Sequence, residues 1–132
     1  MKLMMENTHP TPTTYSLATR DGAIVLTVRG DLDTPDPGEL RANLMIAEVI
    51  PQRHLIADLS DAAHVPPRAL SVLESLGARL AVEGRRLVVV LNRASAASAR
   101  RTMFAYPIAA TVADACRILG LRTPLDATDA AA

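Results

Sequence analysis

Residues 58–73, DLSDAAHVPPRALSVL, have the form in which a small α/β domain places its chemistry: a strand end, a polar loop and a helix start. Asp58 at the strand end invites an aspartyl-phosphate reading, but that chemistry also needs an acidic pair after the first strand and a lysine after the last. The only lysine is Lys2, so the reading fails. Asp58 is expected instead to cap its own loop through the N–H groups near Ser60 and Asp61. His9, His54 and His64 fall in a tail, at a strand start and in a loop. None has i,i+4 or clustered ligand spacing, so they read as surface or capping histidines and imply no metal. Cys116 stands in the last helical segment with no histidine near it in sequence, which suits a packed core thiol. Neither G-x-x-x-x-G-K-[ST] nor G-x-G-x-x-G occurs, which excludes the usual phosphate cradles and implies no cofactor. What the loop carries instead is Pro66-Pro67, two residues without a backbone N–H.

The elements that position this loop follow a regular pattern. YSLAT and AIVLTVRG flank Arg20-Asp21-Gly22, a short-hairpin signal. In the second strand Ile24, Leu26 and Val28 share one face, and Gly30 breaks it. A proline-containing loop then leads to a helix from about Asp36 to Ile50, with Leu40, Leu44 and Ala47 as its inward stripe and Pro51 at its end. HLIADL (54–59) is apolar on both faces, as a central parallel strand should be. Ala69, Leu70, Leu73, Leu76 and Leu80 recur at helical spacing over about 67–82, which turns Ser71, Glu74 and Ser75 outward. RLVVVL (86–91) is the next strand, RASAASARRTMF a short helix with an alanine-rich inner face, and YPIA a last edge strand. Thr111 and Asp114 have capping-box spacing at the start of a closing helix that Gly120 ends. The order predicts an α/β fold: a mixed sheet of four to five strands, HLIADL and RLVVVL adjacent and parallel, with about four helices packed mainly on one face.

Composition narrows the function classes. With 132 residues and 49% apolar content the chain suits one domain with one core, here read as 14–120 between flexible tails at 1–13 and 121–132. Fourteen basic and fourteen acidic side chains cancel, and the three aromatics (Tyr15, Phe104, Tyr106) are too few for a base-stacking platform. Arg85-Arg86 and Arg100-Arg101 are interspersed with acids and read as a solvated face, so no nucleic-acid partner is expected. No run is long enough to span a bilayer, and the start of the chain lacks an apolar signal core. With a single cysteine, the expected setting is cytoplasmic.

Two stretches, VRGDLDTPDPGEL (28–40) and LIADLSDAAHVPPRALSVL (55–73), together resemble the STAS domain, the module of bacterial anti-sigma factor antagonists and of the cytosolic tails of sulfate transporters. Gly30-Asp31-Leu32-Asp33 matches the family's G-E-L-D turn, and Asp58-Leu59-Ser60 its D-L-S strand end. Ala69-Leu70-Ser71-Val72-Leu73 fits the helix after its loop, GRRLVVVLNR its next strand and TVADACRIL its closing helix, so the likeness runs over roughly 14–120. The departure is in the loop. The family's D-S-S-G becomes Pro66-Pro67-Arg68-Ala69, and the phosphorylatable serine falls on Pro67. Proline suits the first position of a helix, so the turn survives while the hydroxyl is gone.

The resemblance implies protein recognition without catalysis. An antagonist docks on an anti-sigma factor that is also a serine kinase, and phosphorylation of the loop serine ends the contact. Carried over, the partner-binding residues are Asp31 and Asp33 in the first turn, His64, Val65, Pro66, Pro67 and Arg68 in the loop, and Ser71 one helical turn on. No phosphorylation site remains at the family position, with Ser60 and Ser71 as the alternative hydroxyls. The chain itself is expected as a monomer or weak homodimer. Two other readings compete: a STAS-like domain sensing a small molecule or nucleotide, and a small hydrolase or transferase. For the latter no nucleophile–base–orienter set can be assembled.

Overall fold

The structure, a computed structural model, describes residues 13–20, 22–32, 38–51 and 53–121. In chain order these form β1 (Thr14–Arg20), β2 (Ala23–Gly30), α1 (Gly38–Val49), β3 (His54–Ala62), α2 (Pro67–Val82), β4 (Leu87–Val90), α3 (Arg93–Arg101), β5 (Ile108–Ala109) and α4 (Val112–Ile118). The strands lie side by side in that same order. β1 and β2 pair antiparallel and every later neighbour is parallel. A hairpin suffices for the first pair, whereas each parallel pair needs a crossover. Because the crossovers share one hand and all step in the same direction, they bring α1, α2 and α3 to one face of the sheet.

Apolar alternation then fills both faces. Ile24, Leu26 and Val28, Leu55, Ala57 and Leu59, and Leu87 and Val89 turn toward the three-helix side. There they meet the stripes expected from the sequence: Leu40, Leu44 and Ala47 of α1, and Ala69, Leu70, Leu73, Leu76 and Leu80 of α2. Ala96 and Ala99 of α3 complete this core. The opposite face carries Ala23, Val25, Ile56, Val88 and Val90, packed with Ala115, Cys116 and Leu119 of the closing helix region. The central strands are therefore apolar on both sides, which is why they read as unbroken apolar runs.

Several local expectations shift. β3 runs on to Ala62, because a register shift between Thr27 and Arg29 lets Arg29 pair with Asp61 and Gly30 with Ala62. Gly30 has φ +101, a conformation that glycine adopts without the steric cost other residues meet, and the chain leaves the sheet there. Asp21, Asp33 and the expected helix start at Asp36 lie outside the described residues. Of the two expected tails, Thr13 donates its hydroxyl to the Asp31 carbonyl, and the Leu121 N–H donates to the Cys116 carbonyl at 2.8 Å. Thr111 accepts from the Asp114 N–H at 3.0 Å, whereas the Asp114 carboxylate pairs with Arg117 rather than closing the capping box. Glu74 is half-buried, not exposed, because its carboxylate accepts from the Ala105 N–H at 3.2 Å.

His54 corrects the reading of a surface or capping histidine. It is buried at the start of β3, and its Nδ1 accepts from the Arg86 N–H at 3.0 Å where β4 begins. Burial first, then the charges of Arg53, Arg86 and Arg85, hold its pKa below the ordinary value. The neutral ring is the one that fits. A base whose folded pKa is depressed stabilises the fold fully above its ordinary pKa and progressively less as pH falls through and below it. The midpoint of urea unfolding is expected to drop between about pH 7.5 and about pH 5 more steeply for the wild type than for His54→Asn, which keeps an acceptor without a titrating ring. Equal slopes would remove His54 as a source of acid sensitivity.

Gly77 is buried in the middle of α2 for a reason of space. A Cβ there would stand 2.5 Å from Cζ of Tyr106. The ring cannot swing away freely, because Phe104 holds it edge to face with centroids 5.9 Å apart. Alanine in a helix interior ordinarily gains up to about 1 kcal/mol over glycine. Here Gly77→Ala is expected to lose about 1–3 kcal/mol through overpacking. In a Tyr106→Ala background the same change should turn stabilising, and a thermal melt of the four proteins reads the reversal of sign.

Candidate functional site

The loop that follows β3 lies at the edge of the sheet where the parallel strands end, the edge at which open α/β sheets usually place their sites. The Ala63 N–H donates to the Gly30 carbonyl at 2.7 Å, so the ends of β2 and β3 leave the sheet together. Asp31 is one residue beyond the first end and His64 is two beyond Ala62, which brings these two candidates to one edge. Asp33, the other first-turn candidate, lies outside the described residues.

Local capping shapes this edge. Asp58 Oδ1 accepts from the Ser60 N–H at 3.1 Å and from its hydroxyl at 2.7 Å, the self-capping expected of it. Ser60 thus uses its hydroxyl within the turn. Asn92, at the end of β4, reaches across: its Nδ2 donates to the Ala62 carbonyl at 3.3 Å, while its Oδ1 accepts from the Ser95 N–H at 2.9 Å and caps α3. The loop motifs give no hint of Asn92. Its position just after an apolar strand and three residues before Ser95 is the signal that could find it.

The proline pair has a defined geometry. Pro66 is the N-cap of α2 in extended conformation, with φ −74° and ψ 162° and no side-chain cap, and Pro67 is the first helical residue. The Pro66 carbonyl accepts from the N–H groups of Ala69 at 3.0 Å and Leu70 at 3.2 Å. A helix start leaves its first N–H groups without internal partners, and Pro67 has none to leave. Val65 and Pro66 are buried, Val65 within the main core, so they set the shape of the loop rather than its outer surface. His64, Pro67 and Arg68 are exposed, as is Ser71 one turn along α2.

Below the loop a groove of about 470 Å³ runs between α1 and α2. Arg41, Met45 and Glu48 line it from α1, and Arg68, Ser71, Val72, Ser75 and Arg79 from α2. Arg79 closes its lower end with a two-point pair to Glu48 at 3.2 and 3.3 Å. The structure therefore brings Arg68 and Ser71 into one surface with residues of α1 that the sequence did not single out. The described residues hold no group of His, Cys, Asp or Glu side chains able to bind a metal ion, and no helix long and apolar enough to cross a membrane. Cys116 is buried on the inner face of α4, and burial raises its pKa, so the thiol is held in its unreactive form.

A five-stranded mixed sheet that opens on a hairpin, carries three helices on one face and presents its loop at the start of α2 is a STAS-like fold. Among solved structures the chain matches the crystal structure of an anti-sigma factor antagonist from Mycobacterium paratuberculosis, with a TM-score of 0.73 over 81% of this chain and 93% of that one. The two sequences are 22% identical, and the likeness is one of fold. No protein-family model matches the chain, and no curated protein does.

Proposed function

We propose that this chain is an antagonist-type interaction module that docks on an anti-sigma factor of the kinase type and so releases a sigma factor. It works in the cytoplasm and has no reaction of its own. The observation that supports this reading most is the placement of Pro67. It is exposed at the first position of α2, at the edge where the candidate loop meets the groove, in a fold shared with a known antagonist. The position keeps its geometry and lacks a hydroxyl, so docking through His64, Pro67, Arg68 and Ser71 is not ended by phosphorylation there. Asp31, at the same edge, belongs to this surface.

The test is calorimetric titration of the chain into purified anti-sigma factors encoded in the same genome, each alone and loaded with its sigma factor. Saturable binding with release of the sigma factor is the expected result. Binding to none of them, together with a thermal shift on addition of a nucleotide or metabolite, would replace this reading with that of a ligand sensor.

A further inference from the structure

Two neighbouring strands of the sheet send their chains to opposite sides. β4 runs through Leu91 and Asn92 into α3, which packs on the three-helix face through Ala96 and Ala99. β5, parallel to β4 and paired with it, runs through Ala110 and Thr111 into α4, which packs on the other face through Ala115 and Cys116. The Leu91 N–H donates to the Ala109 carbonyl at 3.1 Å, so the strands stay joined up to the point where the loops part. Parting loops leave a crevice at the carboxyl ends of parallel strands, the place where open α/β sheets take ligands. Here the crevice is a cleft of about 260 Å³. Its lining is apolar at Leu91, Ala96, Ile108 and Ala109, cationic at Arg93 and Arg100, and holds no carboxylate.

Arg93, Ala96 and Arg100 stand at i, i+3 and i+7, which puts them on one face of α3. In sequence Arg100 reads as half of a solvated pair; the fold gives it a second arginine two helical turns away and an apolar floor beside them. Arg79, Arg85 and Arg117 are each tied to an acid. Among the described residues neither Arg93 nor Arg100 has a side-chain hydrogen bond or ion pair, and α3 contains no acid. Two guanidiniums over one low-dielectric cleft leave a positive potential in it. Asn92 does not quench it, because its Oδ1 accepts from the Ser95 N–H and its Nδ2 donates to the Ala62 carbonyl.

We propose that this cleft binds a small organic dianion, a phosphomonoester or a dicarboxylate, with its charge on Arg93 and Arg100 and its carbon skeleton on Leu91 and Ile108. The planar fork of a guanidinium matches phosphate and carboxylate alike, so both sources share one chemistry. Size sets the limit: about 260 Å³ falls below the roughly 300–1,000 Å³ of pockets for drug-sized ligands, which leaves out a nucleotide. The site goes beyond the antagonist reading and does not rest on it, since none of these residues belongs to the proposed docking surface.

The experiment follows amide chemical shifts of the full chain on titration with glycerol phosphate, succinate, inorganic phosphate and glycerol, all at one ionic strength. Saturable shifts at Arg93, Ala96 and Ala109 are expected with glycerol phosphate, succinate or both, and which of them binds assigns the source. Glycerol should do nothing and inorganic phosphate should bind more weakly. The Kd should rise about tenfold or more in Arg93→Gln with Arg100→Gln. Ala110→Phe, which fills the cleft from its lining and leaves both charges in place, should weaken binding as much. All three positions are exposed, and thermal melts confirm that each variant folds. Binding of neither organic acid, inorganic phosphate bound as tightly as either, or insensitivity to the variants overturns the proposal. An RNA oligonucleotide held more tightly through the same two arginines would overturn it too, making this face a polyanion surface.

Discussion

Truncation of Leu73 to alanine is expected to cost about 2–5 kcal/mol, a large share of the roughly 5–15 kcal/mol that holds a domain of this size together. Leu73 is completely buried on the inner face of α2, in the core that joins that helix to β2, β3, β4 and α1. Removing its isobutyl group forfeits the transfer energy of those carbons and leaves a void that packed neighbours fill only incompletely. The outer face of the same helix supplies the control. Ser71→Ala and Ser75→Ala, both at exposed positions, should each stay within about 0.5 kcal/mol of the wild type. Urea unfolding of the three variants measures the contrast. A cost below about 1 kcal/mol at Leu73 would show that α2 is not seated on the sheet by this stripe.

Under the proposed function, the complex with a partner kinase persists in ATP. Phosphorylation adds a charge of about −1.5 to −2, enough to break a docked interface by repulsion and desolvation. Pro67 offers no oxygen to receive it. Ser60 has its hydroxyl engaged by Asp58, and Ser71 lies within α2, where its backbone is committed to helical hydrogen bonding rather than to an extended loop that a kinase can grip. Mass spectrometry after incubation with kinase and ATP is expected to find the wild type unmodified. Pro67→Ser, at an exposed position, should gain a phosphate at residue 67 and release its partner. The double change Pro66→Asp with Pro67→Ser should do the same, with the new aspartate able to cap α2 where proline now makes no side-chain cap. Modification of the wild type at Ser60 or Ser71, with loss of binding, would refute an unswitched antagonist.

Much of the fold was legible because burial imposes a period on sequence. The leucines of α2 gave its phase, the paired prolines its start, and the apolar runs of β3 and β4 their place as parallel neighbours. What stayed hidden depends on partners some thirty residues apart, which no local period records. The Nδ1 of His54 meets the Arg86 N–H, Asn92 ties β4 to β3, and Tyr106 occupies the space that Gly77 leaves. The candidate site was half legible for the same reason. His64, Pro67, Arg68 and Ser71 are exposed where expected, but in a loop no period tells which residues turn inward, and Val65 and Pro66 do. The groove needed a second wall, and Arg41 and Met45 come from a helix that local motifs around the loop could not bring to it.

The order of the strands has a consequence for how the molecule is made. Each strand lies beside the one that precedes it in the chain, so no late segment has to wedge between strands already joined. A chain leaving the ribosome can close its hairpin, add β3 to the open side of β2, then β4, then β5, each step extending one rim while the helix between is laid over the pair just formed. The far side of the sheet stays wet longest, since Val88 and Val90 are covered when α4, the last described element, folds back over them and brings Cys116 with it. The thiol of Cys116, sealed in the folded domain, is thus the natural marker for the docking of α4 on the sheet.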